Sequence, residues 1–106
     1  MALPPVVLDP PFNILRISHV ELVVTDIAAS KAFYADTLGL QITDETSDRV
    51  YFRAMEERSH HCVVLVRGNT PCVNAMGYRV WSEEDLDKAA EWFTAKGRAV
   101  EWVERT

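Results

Sequence analysis

Three histidines, one well-spaced glutamate and two cysteines are the residues of this chain best equipped for chemistry. His19 and Glu21 lie two positions apart, so on a strand both point to the same side. An imidazole next to a carboxylate is part of the set that holds non-haem iron, which uses two histidines and one acid and leaves coordination positions open. His60 and His61 are consecutive, and only one of two consecutive strand residues faces a given side. With His61 turned inward, His19, Glu21 and His61 become a candidate metal-ligand set. The plainer alternative is a hydrogen-bonded histidine beside a partly solvated glutamate. In that case His60 and His61 cap a strand start or pair with Glu56 or Glu57. Cys62 lies in a β-branched run, CVVLV, and reads as a core thiol. Cys62 and Cys72 lack the spacing of a metal site and are too few for a disulfide framework. Both are expected as buried or partly buried thiols in a reducing cytoplasm. No phosphate-binding glycine loop, nucleophile elbow or zinc-protease motif is present.

These side chains must be carried by strands and helices, and the pattern supplies them. Residues 15–25 alternate. Ser18, Val20, Leu22 and Val24 fall on one face; His19, Glu21, Val23 and Thr25 fall on the other. The apolar set is expected to meet the helices, and the mixed set to face something wetter. Asp26 reads as an N-cap for a helix over 27–38, with Ile27, Tyr34 and Leu38 on one side, and Gly39 ends it. Strands are predicted at 40–44, 50–53 and 61–67, separated by polar turns. Gly68 to Pro71 is the clearest break in the chain. A strand over 74–81 follows. Ser82 with Asp85 resembles a capping box, and Leu86, Ala89, Ala90 and Phe93 have the spacing of a buried helix face. Lys96 and Gly97 stop that helix, and 98–103 is predicted as one more strand.

The strand–helix–glycine–strand unit therefore occurs twice, from His19 to Ile42 and from Ala75 to Val100. His19 falls opposite Ala75, and Asp26 opposite Ser82. The fold class expected is α+β, built from βαβββ modules: one complete module at 13–68, then a truncated βαβ module at 72–106. Residues 1–12 are expected as a Pro-rich extended arm with polyproline character. The first copy has three strands after its helix and the second only one. A sheet ended there leaves an open edge, so either the sequence is a fragment or another subunit closes the sheet. The fragment is the favoured expectation.

Bulk properties set outer limits. With 106 residues the chain is one domain's worth, and 48% hydrophobic with 25% charged residues is an ordinary globular balance. A formal charge of −5 and no basic run argue against nucleic acid. No apolar run is long enough to cross a bilayer, and the N-terminus lacks the basic start of a signal peptide. Phe33, Tyr34, Trp92 and Phe93 are expected to pack, while Trp81 and Trp102 are candidates for an interface.

HVELVVTDIAASKAFYADTLGLQITDE resembles the opening unit of the vicinal oxygen chelate superfamily, the glyoxalase, bleomycin resistance and extradiol dioxygenase fold. Ser30, Phe33, Tyr34, Leu38, Gly39 and Leu40 carry the likeness. VYFRAMEERSHHCVVLVRG and GYRVWSEEDLDKAAEWF are similar to the N-terminal domain of the homoprotocatechuate (3,4-dihydroxyphenylacetate) and catechol 2,3-dioxygenase group. The resemblance spans 13–106. It implies a sheet that curls into half an open barrel, and a C-terminal catalytic domain in the parent protein holding Fe(II) or Mn(II) on two His and one Glu. Catechol-type small molecules, homo-oligomers and aromatic catabolism come with it.

Carried over position by position, the resemblance places the first-strand ligand position on His19 and its second-module counterpart on Ala75. The last strand of module one, CVVLVRG, has no acid to complete a triad. The expectation is a non-catalytic domain with no catalytic residue, no bound cofactor and no metal of its own, His19 being a vestigial ligand position. His19, Glu21 and His61 remain the candidates if a metal is held. The alternatives are a small dimeric drug-sequestering protein, or a glyoxalase-type metal enzyme that assembles those three residues across a dimer.

Overall fold

Alternation of apolar and polar side chains makes the first element an extended strand, β1, Ile14–Val24. The computed structural model describes residues 2–103; the outermost parts of the expected arm and second module, Met1 and 104–106, lie outside them. Asp26 then caps a helix as expected: its Oδ1 accepts from the Ala29 backbone N–H at 3.0 Å, and α1 runs Ile27–Ala32. The single helix expected over 27–38 does not continue in α form. Phe33–Thr37 is a π-helical turn, closed by the Leu38 N–H donating to the Phe33 carbonyl five residues back at 3.1 Å. The wider turn carries Leu38 off the apolar side, and it is 54% exposed while Ile27 and Tyr34 pack on the core. Gly39 takes φ of +74°, the left-handed conformation that a side chain would resist.

A meander follows: β2 Gln41–Glu45, β3 Arg49–Arg53 and β4 Val63–Arg67. β2 pairs antiparallel with β3, with a bulge between Ile42 and Asp44, and β3 pairs antiparallel with β4. β4 then lies parallel to β1, with Val20 opposite Val63 and Val24 opposite Arg67. β5, Cys72–Val80, completes a five-stranded sheet in the order β2-β3-β4-β1-β5. The βαβββ module and the α+β class are thus both present.

The core sits on one face of this sheet. Val50, Phe52 and Leu65 are buried, with Leu22, Val24, Ile27, Tyr34, Ala35, Leu40 and Val63 packed around them. Burying a side chain the size of Phe52 or Leu65 is worth about 1.5–3 kcal/mol each. The expectation that the Leu22 and Val24 face meets the helix therefore holds.

Residues 17–78 form one compact unit; residues 2–16 with 79–103 form another. In the second unit α2, Glu83–Ala95, is capped by Ser82, whose Oγ accepts from the Asp85 N–H. The box is not closed in the usual reciprocal way. Asp85 Oδ2 instead accepts from the Ser82 hydroxyl at 2.9 Å, and Oδ1 accepts from the Asn13 backbone N–H at 3.0 Å. Asp85 is buried, and those hydrogen bonds are what make the burial tolerable. Asn13 bonding lowers its carboxyl below the ordinary value, assisted by Ser82 and Lys88 and opposed by burial.

Two expectations for this unit need correction. Leu86 and Phe93 are about 40% exposed rather than buried, with the Phe12 ring lying tilted against Phe93 at 5.7 Å between centroids. Residues 98–103 form no strand, because a strand needs a neighbouring ladder and no described strand pairs with them. Trp81 and Trp102 are exposed. Among the described residues no helix is long and apolar enough to cross a membrane.

Candidate functional site

The sheet face opposite α1 gathers the residues singled out for chemistry. Glu21, Val64 and Tyr51 are lateral neighbours on β1, β4 and β3, and lateral neighbours share a face. Val64 is buried in the middle of that face. His19 lies two residues before Glu21 on β1, on the same side.

His61 joins them, though not from a strand. β4 begins at Val63, so His60 and His61 lie in the irregular approach to it and escape the alternation assumed from sequence. Both reach the same cluster. The His61 ring stands edge-on to His19 at 5.1 Å, to Tyr51 at 5.1 Å and to His60 at 5.2 Å between centroids. His60 also meets Tyr51, at 5.7 Å. The Nδ1 atoms of His60 and His61 are 2.9 Å apart, so one donates the proton that the other accepts. Burial, followed by the neighbouring His19 and His60, lowers the His61 pKa from its ordinary value, while Glu21 pulls the other way.

His19 owes its place to a missing side chain. A Cβ on Gly77 would fall on the His19 ring, so the imidazole occupies space that only glycine leaves open. The His19 Nδ1 and Ser18 Oγ are 3.3 Å apart.

Glu21 is held on both sides. Its Oε1 accepts from Arg49 Nη1 at 2.7 Å, and its Oε2 accepts from Asn74 Nδ2. Arg49 is on β3 and Asn74 on β5, so the carboxylate ties together strands lying on both sides of β1 and β4. The Asn74 hydrogen bond, then Arg49, lowers the Glu21 pKa against the raising effect of burial. Arg49 is raised in turn by its bond to Glu21.

The three sequence candidates therefore share one face: His19 and His61 touch, and Glu21 stands beside them, engaged elsewhere. A divalent ion at Glu21 would sit beside the Arg49 guanidinium, which already pairs with the carboxylate charge. Among the described residues no group of three His, Cys, Asp or Glu side chains is arranged to hold a metal ion. Ala75 lies exposed on β5. Cys62 is half-buried, and Cys72 is exposed rather than buried, because it opens an edge strand.

Four contributors were not anticipated: Arg49, Tyr51, Asn74 and Gly77. The alternation of β3 would have placed Arg49 and Tyr51 together on the polar face. No local pattern announces Asn74 or Gly77.

The glyoxalase/bleomycin resistance protein/dioxygenase family model matches residues 16–105. The chain belongs to this superfamily. Within it, the chain is similar to a manganese-dependent 2,3-dihydroxybiphenyl 1,2-dioxygenase of Geobacillus genomosp. 3, at 32% identity over 87% of this chain and 29% of that protein. A 1,2-dihydroxynaphthalene dioxygenase of Sphingobium xenophagum is 30% identical over 83% of the chain and 29% of its own length. Among solved structures, homoprotocatechuate 2,3-dioxygenase from Brevibacterium fuscum, in complex with 3,4-dihydroxyphenylacetate, superposes with a TM-score of 0.79. It is 42% identical, over 88% of this chain and 29% of that one. The chain thus spans under a third of the length of these superfamily members.

Proposed function

We propose that this chain is the N-terminal, non-catalytic domain of an extradiol ring-cleaving dioxygenase that acts on a catechol such as 3,4-dihydroxyphenylacetate. The observation that carries this reading is the agreement with homoprotocatechuate 2,3-dioxygenase: 42% identity and a TM-score of 0.79, spread over 88% of this chain but 29% of the enzyme. Its module boundary falls at the break from Gly68 to Pro71, with module one at 13–68 and module two from 72.

The chemistry of the donor set supports the non-catalytic role. An iron or manganese site of this kind needs histidine lone pairs and the negative charge of a carboxylate that no protein cation already neutralises. Here both oxygens of Glu21 accept from protein donors, one of them a cation. The His61 ring packs among His19, His60 and Tyr51. His19, Glu21 and His61 as arranged do not fit a resident metal. The Fe(II) or Mn(II) of the parent protein would be held by its C-terminal catalytic domain, and this domain would act as scaffold and contact surface. The two free thiols suit a reducing cytoplasm.

The test is direct. The purified chain, given Fe(II) or Mn(II), oxygen and 3,4-dihydroxyphenylacetate, is expected to form no yellow ring-opened product. A longer polypeptide that includes it is expected to form that product. Sustained turnover by the 106-residue chain alone would overturn the proposal.

A further inference from the structure

Two imidazoles and one carboxylate on one face are the composition of a facial triad, and His19, His61 and Glu21 supply it. Composition alone therefore does not keep a metal away from this face.

The histidines are not the obstacle. A ligating imidazole gives one nitrogen to the metal and holds its other N–H on a hydrogen-bond acceptor, which fixes the tautomer. His19 Nδ1 has Ser18 Oγ at 3.3 Å, and His61 Nδ1 has His60 Nδ1 at 2.9 Å. With the proton on Nδ1 of each ring, Nε2 carries the lone pair. The two ring centres are 5.1 Å apart. Two imidazoles on one ion, each with a nitrogen–metal distance of about 2.0–2.1 Å, have their centres roughly 5 Å apart. Burial also holds His61 below its ordinary pKa, which favours the neutral ring that a ligand must be.

The carboxylate is where the set fails, and lone pairs are not the reason. An ionised carboxylate has about four acceptor sites, and Arg49 and Asn74 leave some of them open. Charge is the reason. Arg49 Nη1 lies 2.7 Å from Glu21 Oε1, so it cancels the negative charge that would draw a dication. It also sets a positive charge beside the place where the ion would lie. Asn74 is neutral and does neither.

We propose that Arg49 keeps this face free of metal, and that without its guanidinium His19, Glu21 and His61 take up a divalent transition-metal ion. The arginine stands as a fixed cation in the ion's place. This rests on the reading of the chain as a non-catalytic domain. A scaffold that bound Fe(II) or Mn(II) would compete for it with the catalytic domain, and a guanidinium on Glu21 removes that competition.

Co2+ titrated into the purified chain, followed by calorimetry and by the visible absorption of the bound ion, tests this. Arg49→Met is expected to bind at least about tenfold more tightly than wild type. Arg49→Lys keeps a cation beside Glu21 and should bind no better than wild type. Arg49→Gln is the second neutral variant should Arg49→Met fail to fold. In the Arg49→Met chain, Glu21→Gln and His19→Ala should each abolish the gain. A neutral variant that binds no more tightly than wild type overturns the inference, as does an equal gain in Arg49→Lys. A gain that survives Glu21→Gln also overturns it, because the ion would then sit on the His60–His61 pair alone. A failed gain leaves the non-catalytic reading intact, whereas ring cleavage by the wild-type chain ends that reading whatever the titrations show.

Discussion

Replacing Glu21 by Gln keeps the shape of the side chain and removes its charge. The amide still offers one oxygen, but its NH2 now meets a donor, either Arg49 or Asn74. Hydrogen bonds to a charged group contribute about 1.5–3 kcal/mol where they are shielded. The Glu21 side chain is 17% exposed, but that of Arg49 is 38% exposed, so solvent screens the ion pair and the lower part of the range applies. The expected loss at neutral pH is about 1.5 kcal/mol, or roughly 6–12 °C in Tm for a domain of this size.

The loss should depend on pH with a definite sign. The folded Glu21 holds its proton less tightly than the unfolded one, whose ordinary value is 4.5. Its stabilisation is therefore complete above that value and disappears as pH falls through the lowered folded value. Urea unfolding of wild type and Glu21→Gln, followed by circular dichroism, should show the full gap at neutral pH and a closing gap in acid well below 4.5. Arg49→Met, alone and combined with Glu21→Gln, should give less than additive losses. A gap below about 0.3 kcal/mol, additive losses, or a gap that persists unchanged in strong acid would refute the three-strand tie.

Two further outcomes follow from the same face. His61 is lowered below 6.5 in the folded chain, so stability should fall as pH drops through that value; His61→Phe keeps a ring against His19 and Tyr51 and should flatten the fall in urea midpoints across that range. Gly77→Val puts a side chain where the His19 ring lies and should cost about 1–3 kcal/mol. His19→Ala in the same chain should restore most of it, and equal losses with and without His19 would place the strain in the strand instead.

The elements that announce themselves chemically were legible in the sequence. Asp26, Gly39 and Ser82 each act at a helix end by a local hydrogen bond or a backbone conformation, and each does in the structure what its type suggests. The two faces of β1 were legible from alternation alone. The π turn at Phe33–Thr37 was not, because a helix that widens by one residue keeps a helical composition, and Leu38 shows the difference only in its exposure. The candidate site was half legible. His19, Glu21 and His61 do share a face, but whether a carboxylate is free to bind depends on partners far along the chain. Arg49 and Asn74 lie 28 and 53 residues from Glu21, beyond any local pattern. Residues 98–103 had the composition of a strand and lacked the neighbour that would make them one.

The parallel ladder between β1 and β4 has a consequence in time. It joins Val20 to Val63, far apart in sequence, whereas β2, β3 and β4 are linked by short connections. Loop-closure entropy makes the meander the cheaper structure to reach first, and the docking of β1 the slower event. His19 and Glu21 ride in on that strand. Their contacts with His61 and Arg49 form with that docking, so a refolding trace that reports on them is expected to time the closing of the module.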